Sequence, residues 1–472
     1  MKKSSKFMSF FALLCFFTSL PLIFESKVAK AASTTYYVSS TSGNDSNNGS
    51  VNTPWKTIQK AVNTVKAGDT VIVRGGTYKE KVSMKTSGTA NAYITFKNYD
   101  GETPIIDGTG QTTSNDDSKN SLIYIQDKNY IKIIGFDISN FVTTTESVPA
   151  GIRITGSSKN IEIKNCKVHG IKTTYSGSNK NRNAHAIAAY GTNGTSSLDG
   201  LIIDNCEVYD CQLGQSESVV LNGNVTNFKV TNNKVHDNDN IGIDFIGYEG
   251  TASQNDYARN GICSGNQVWN ISSKTNKTYP DTCAGAIYVD GGSSITIERN
   301  KIWSSDIGIE TASEHKDKAT DNILVRNNLI YNCGVYGISI GGSGETNGKA
   351  TNIKIFNNTA YNNDVNMNIQ NYCQYNSNVI KNNIFYKGSS IYEGDKTNLN
   401  ISNNITTDPK FVNPGVDFNL QTVSSAINSG LNDSNIGMAD LYGNPRVNGS
   451  APDCGCYESK NNSKLSLYLK II

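Results

Sequence analysis

The chain has 472 residues and a formal charge of +2, and no basic cluster stands out, which argues against a nucleic-acid footprint. Ten cysteines are present without a CxxC pair, and because Cys15 falls in the apolar leader described next, an odd number stays behind and at least one thiol is unpaired. The length is more than one ordinary domain needs, yet a single elongated solenoid accommodates it without several cores.

Met1-Lys2-Lys3 leads into an apolar run from Phe7 to Phe24, and Ala29-Lys30-Ala31 offers a small-x-small cleavage site. These are the parts of a secretory signal peptide, assigned to residues 1–31, and they predict a secreted, extracellular protein. The run is broken by Ser9, Thr18, Ser19 and Pro21, and no later stretch approaches the ~20 apolar residues of a membrane span. No membrane partner is expected.

Residues 32–110 read as an N-terminal cap and the first coils. Tyr36-Tyr37-Val38 precedes a polar stretch from Ser42 to Gly49, Trp55–Val62 carries helical spacing, and Asp69–Val73 reads as a strand. A solenoid exposes its terminal core unless something covers it, and the short helix is the candidate cover.

Residues 111–410 repeat one pattern: an alternating apolar strand, Asn-Asn or a relative, a second short apolar strand, and a polar turn. It recurs at Ile161–Val168, Leu201–Val208, Phe228–Val235, Ile295–Ile302, Ile323–Ile330, Ile353–Asn358, Val379–Ile384 and Leu399–Ile405. From Asn233 to Asn404 the recurring Asn returns at intervals of about 21 to 34 residues, the signature of a solenoid. Alternation with period two makes the units strands, with one face in a shared core. The fold class is therefore all-β, a single-stranded right-handed parallel β-helix. The recurring Asn is expected at a tight bend, where its side chain tolerates left-handed backbone. Stacked coil on coil, Asn233, Asn266, Asn300, Asn328, Asn358, Asn383 and Asn404 form a ladder of amides, continued N-terminally by Cys166 and Cys206. Cysteines at such core positions serve as small buried hydrophobes.

A second strand family lies between these units: Gly151–Gly156, Ala186–Gly191, Ser218–Gly223, Gly242–Gly247, Ala286–Gly291, Gly308–Ala312 and Gly337–Gly342. The longest insertions, around 171–183, 248–262 and 271–283, fall beside it, and loops on one side of a solenoid build its binding face. Residues 411–472 carry fewer repeats and read as a second cap and a tail.

Aligning the second family on its terminal glycines puts Arg153, Ala188, Val220, Asp244, Tyr288, Glu310 and Ser339 in one outward column. Tyr190, Asn222, Ile246, Asp290 and Ala312 form the next. Asp244 and Glu310 then sit two rungs apart, roughly 9–10 Å, with Asp290 diagonal to both at about 7–8 Å. A carboxylate pair at such spacing suits glycoside hydrolysis, in which one group protonates the leaving oxygen and another attacks the sugar or activates water. Neighbouring acids also push each other's pKa apart, so that one stays protonated. Asp244, Asp290 and Glu310 are the candidate catalytic residues; the spacing does not say which is the acid, and outward acids are more often merely solvated. Tyr288, Glu249, Arg259, Asn222, Glu314 and His315 are the candidate substrate contacts, although each alone has a bland reading as a loop residue. Tyr248, Asp256 and Tyr257 lie in the same insertion, and His185 begins a strand where it serves equally well as a structural histidine.

The architecture resembles the right-handed parallel β-helix carbohydrate-active enzymes. Tyr36-Tyr37-Val38, Gly43-Asn44-Asp45 and Asn48-Gly49 at one end, and Gly449–Asp453 at the other, resemble the ends of the family 9 pectate lyases. That resemblance implies a polysaccharide substrate, a calcium ion held by an Asp-Asp-Gly-x-Asp motif, and a basic residue that removes the proton α to a uronate. Here the matching segment is Asn240-Ile241-Gly242-Ile243-Asp244, so only Asp244 agrees, and no lysine occupies a matching strand position. The site thus departs toward a glycoside hydrolase that needs no cofactor, acting as a monomer on an extracellular polysaccharide, with uronate- and amino-sugar-containing glycans among the candidates. A Ca²⁺-assisted lyase working by β-elimination is the main alternative, since hard oxygen ligands suit that ion. A non-catalytic surface solenoid is the third.

Overall fold

In a computed structural model the chain is described over residues 33–459, except 115, 117–119, 179–180, 280, 343, 345, 373–376 and 398. The leader read at residues 1–31 and the end of the tail lie outside the described residues. The alternating segments become three long parallel sheets, of sixteen, eleven and eleven strands among the described residues. One coil runs Ile243–Ile246, Arg259–Ser264, Gln267–Ile271, and the next repeats it as Gly285–Asp290, Ser293–Glu298, Lys301–Trp303. Each strand pairs with its counterpart one coil on, through right-handed crossovers, the hand that twisted strands impose. The molecule is the expected right-handed parallel β-helix.

Inward columns fill the core with branched apolar residues. In the sixteen-stranded sheet Ile163, Ile203, Val230, Cys263, Ile297 and Val325 occupy successive rungs, each fully buried. A buried side chain of that size contributes about 1.5–3 kcal/mol, and the β-branched shapes fit a pleated surface covered on both faces. Cys263 takes such a core place. Eight cysteines among the described residues are free thiols, seven of them buried.

The amide ladder forms in full. Each Nδ2 from Asn233 to Asn383 donates to the next Oδ1 at 2.9–3.0 Å. Each Oδ1 from Asn266 onward also accepts from the previous ladder residue's backbone N–H, as Asn300 Oδ1 does from Asn266 at 2.9 Å. Cys206 extends the column, its N–H donating to Asn233 Oδ1 at 2.9 Å. The left-handed conformation belongs to the residue before the ladder, at Asn205, Asn232, Gly265, Arg299, Asn327, Asn357, Asn382 and Asn403, and this corrects the expectation that the ladder Asn itself adopts it. Two jobs fall to two neighbours: one residue, asparagine in most coils, turns the chain, and the next bonds inside the bend.

The helix Ile58–Val62 covers the N-terminal end of the core. Thr57 caps it by accepting from Lys60 N, and Glu80 accepts from Ile58 N and Gln59 N at 2.8 and 2.9 Å. Its buried face is Ile58, Ala61 and Val62, beside Trp55 stacked on Tyr36 at 4.6 Å. The C-terminal segment, read as the second cap, packs against the flank of the last coils. Asn327, Asn357 and Asn382 of the left-handed column clasp it, donating from Nδ2 to Ile436 O, Asp453 O and Leu431 O at 2.8–2.9 Å. Buried Arg446 knots it internally, bonding three carbonyl oxygens and pairing with Glu458 at 2.6 Å.

Candidate functional site

The outward columns inferred from the terminal glycines are those of the second sheet. Arg153, Ala188, Val220, Asp244, Tyr288, Glu310 and Ser339 are register partners in succession. Residues pointing outward from a sheet are ordinarily wet, but Ala188 and Val220 are fully buried and Asp244 is 2 % exposed. The loops beside the sheet therefore wall in a cleft, of about 630 Å³. Its floor is apolar in the middle, where Ala188, Val220 and Ile246 pack together under Tyr190.

At the N-terminal end Arg153 holds Val148 O at 3.0 Å and lies 6.0 Å from the Tyr190 ring centre. His185 stands beside it. Its Nδ1 donates to the Glu217 carbonyl at 3.2 Å, which fixes the tautomer, so Nε2 accepts from the Tyr190 hydroxyl at 3.0 Å. Burial, and then the nearby Arg153 charge, push its pKa down to about 3. The imidazole is neutral.

Acids fill the other end: Glu217, Asp244, Glu249, Asp290 and Glu314 all line the cleft. Burial first, and then mutual repulsion, raise Glu217, Asp244 and Asp290 well above the ordinary carboxyl range. Their hydrogen bonds differ. Asp290 Oδ1 accepts from Glu314 N at 2.7 Å, with His315 Nε2 3.9 Å from Oδ2. Asp244 Oδ1 is buried without a hydrogen-bond partner. Glu249 accepts from Asn222 Nδ2 at 2.6 Å, and the Tyr288 hydroxyl donates to Glu314 at 3.3 Å.

The candidates from sequence thus separate. Asp244, Asp290, Tyr288, Asn222, Glu249 and Glu314 line one cleft, with His315 at its rim. Asn222 is buried, its amide engaged by Glu249 and by Thr251 at 2.7 Å, so it positions Glu249. Glu310 lies past Tyr288 on the same column, outside the lining, where Gln370 Nε2 and Ser339 Oγ donate to its Oε1 at 2.8 and 3.3 Å. Arg259 also lies outside, anchoring the 248–262 insertion through Asn224 Oδ1 at 2.9 Å and the Tyr257 carbonyl at 3.1 Å. Glu217 was missed. It sits on the turn before a strand, and its only signal was its place three residues ahead of the outward column at Val220.

Among the described residues no three acidic, histidine or cysteine side chains converge closely enough to hold a metal ion. Asn240, at a place where the lyase motif has Asp, donates instead to Gly214 O and Ser216 O at 3.2 and 3.0 Å. This donor set does not fit the calcium site that the resemblance implies.

Comparison with known proteins supports the scaffold and leaves hydrolase and lyase both open. Residues 36–210 match a family described as "Pel9A-like, right handed beta helix region". The uncharacterized protein YwoF of Bacillus subtilis strain 168 is 40 % identical over 352 residues, 74 % of this chain and 73 % of that one. Pectate lyase PEL9 of Emericella nidulans is 29 % identical over 143 residues, 25 % of this chain and 35 % of that one. The solved GH136 lacto-N-biosidase of Eubacterium ramulus is 12 % identical with a TM-score of 0.54, over 79 % of this chain and 67 % of that one, a likeness of fold alone.

Proposed function

The chain belongs to the family of YwoF, on the pectate-lyase-like β-helix scaffold of polysaccharide-degrading proteins, and from that premise we propose that it is a secreted glycoside hydrolase with Asp244 and Asp290 as its carboxyl pair. The observation that carries the proposal is Asp244 at the cleft floor, buried among other acids with Oδ1 facing no donor. Two like groups in one dry site do not ionise together. The first proton leaves the group whose anion has a donor, Asp290 with the Glu314 N–H, and Asp244 keeps its own.

Protonated Asp244 gives its proton to the glycosidic oxygen as the bond to the anomeric carbon breaks. A water attacks that carbon and passes its proton to the Asp290 carboxylate. Exchange with solvent resets both groups. The two residues are diagonal neighbours on adjacent strands, their backbone positions roughly 7–8 Å apart; a carboxyl separation of ~6.5–9.5 Å would give inversion at the anomeric carbon and one of ~5–5.5 Å retention. A lyase instead needs a base for the uronate proton. Arg153 is the lone Lys or Arg among the residues lining the cleft, three rungs from Asp244; His185 is neutral and bonded at both nitrogens, and His315 stands against Asp290, 3.9 Å from its Oδ2.

The test is product chemistry on a glycan panel. Hydrolysis gives reducing ends without ultraviolet absorbance, and Asp244→Asn or Asp290→Asn each lowers the rate about 10²–10⁴-fold. Unsaturated, absorbing products whose formation stops with a chelator would establish β-elimination instead. The leader read at residues 1–31 is checked by sequencing the N-terminus of protein collected outside the cell.

A further inference from the structure

Hydrolysis needs two carboxyl groups, and this cleft holds five. Glu217, Glu249 and Glu314 are the surplus. Converging carboxylates repel, and the repulsion is strong in a site walled off from water. Glu217 is destabilised first by its burial and then by Glu249, with Glu314 and Asp290 adding to it. Of the protein's own basic groups, His315 lies against Asp290, its Nε2 3.9 Å from Oδ2. The His185 ring is 3.6 Å from the Glu217 carboxylate, but it carries no charge, because its two nitrogens are committed to a carbonyl and to the Tyr190 hydroxyl. Arg153 sits at the far end against the Val148 carbonyl, and no lysine lines the cleft among the described residues. A ligand is also called for independently of the acids' number: the 98 %-buried side chain of Asp244 turns into the cleft with an oxygen that nothing in the protein satisfies.

We propose that the substrate is a glycan bearing free amino groups, and that the acidic wall to which Glu217, Glu249 and Glu314 contribute takes the protonated amine of one sugar unit beside the bond being cut, with no more than two of them bonding it at once. A sugar ammonium has three donors and forms charge-assisted bonds to carboxylates. It supplies the positive charge the fold omits, and two carboxylates suffice for it. A uronate would bring a further negative charge to the same walls. N-acetylation removes the ammonium and leaves a neutral amide, so the acetylated glycan loses this attraction.

The inference rests on the hydrolase proposed above. It is tested by calorimetric titration of the Asp290→Asn variant with oligomers of glucosamine, of N-acetylglucosamine and of galacturonate, the last with and without Ca²⁺. The glucosamine oligomer is expected to bind about tenfold or more tightly than its acetylated counterpart, and more weakly as salt rises. Added to the Asp290→Asn variant, Glu249→Gln should shrink that preference, weakening the glucosamine oligomer more than its acetylated counterpart. Equal or weaker binding of the glucosamine oligomer, no binding of it at millimolar concentration, or binding of galacturonate alone overturns the inference. If wild-type protein then still releases reducing ends from a neutral glycan, the hydrolase stands without the amine; unsaturated products would remove the hydrolase as well.

Discussion

Glu310 provides a sharp test, because the cleft geometry leaves it out of the chemistry while its surroundings make it a liability. Burial, opposed by the Gln370 hydrogen bond and reinforced by Glu314, pushes its carboxyl from 4.5 up to about 7. Between those values the folded protein holds a proton that the unfolded chain has released. Stability therefore falls as pH rises, by at most about 1.4 kcal/mol per pH unit, or up to about 3 kcal/mol across the window, reduced by the water that reaches this part-buried group. Below pH 4.5 the term vanishes. Glu310→Gln keeps an acceptor for Gln370 and Ser339 but has no proton to lose, so it should match the wild type near pH 4 and exceed it by about 1–3 kcal/mol at pH 8. Denaturant unfolding at pH 4, 6 and 8 reads the difference, and glycan cleavage at the same pH values should stay within a few-fold of wild type. A stability difference that does not change with pH would refute the burial argument. Loss of activity on the order of 10²-fold would place Glu310 in the catalytic set after all.

Three further outcomes are expected. Asn300→Ala removes the partners of the Asn266 N–H and the Cys263 carbonyl in a dry core and should cost about 4 kcal/mol by denaturant midpoint; Asn404→Ala, at the half-buried end of the ladder, should cost clearly less. Arg446→Met leaves Glu458 buried without its cation and should destabilise the C-terminal segment by about 3–5 kcal/mol, seen as protease cuts between 411 and 459 while the coils stay intact. The His185 ring, held near 3 by burial, should show no proton-linked shift in its NMR signals between pH 5 and 8.

The coils were legible because the same residue types recur at fixed offsets, and a repeat multiplies weak signals. The outward column from Arg153 to Ser339 follows from terminal glycines alone, and its register is the observed one. A further column went unread. Three residues after each ladder position stand His169, Tyr209, His236, Trp269, Trp303 and Tyr331, and their rings stack with centres 4.0–6.0 Å apart. The walls of the cleft could not be read in this way. Glu217, Glu249 and Glu314 lie on turns and insertions of unequal length, which no period aligns, so their convergence is a fact of folding. Arg259 shows the reverse error, since proximity in sequence to the acids did not bring its side chain into the cleft.

The ladder spans 33, 34, 28, 30, 25 and 21 residues between successive amides, yet every link has the same length within 0.1 Å. The bond thus ignores how much chain lies between its ends. An insertion in a flexible loop adds only about 0.6 kcal/mol per doubling of its length, and each coil is held mainly by its two neighbours. The scaffold therefore works as a rail with interchangeable fittings: a lineage can lengthen, shorten or swap the segments that wall the cleft, and so try new sugars, without renegotiating a single core contact.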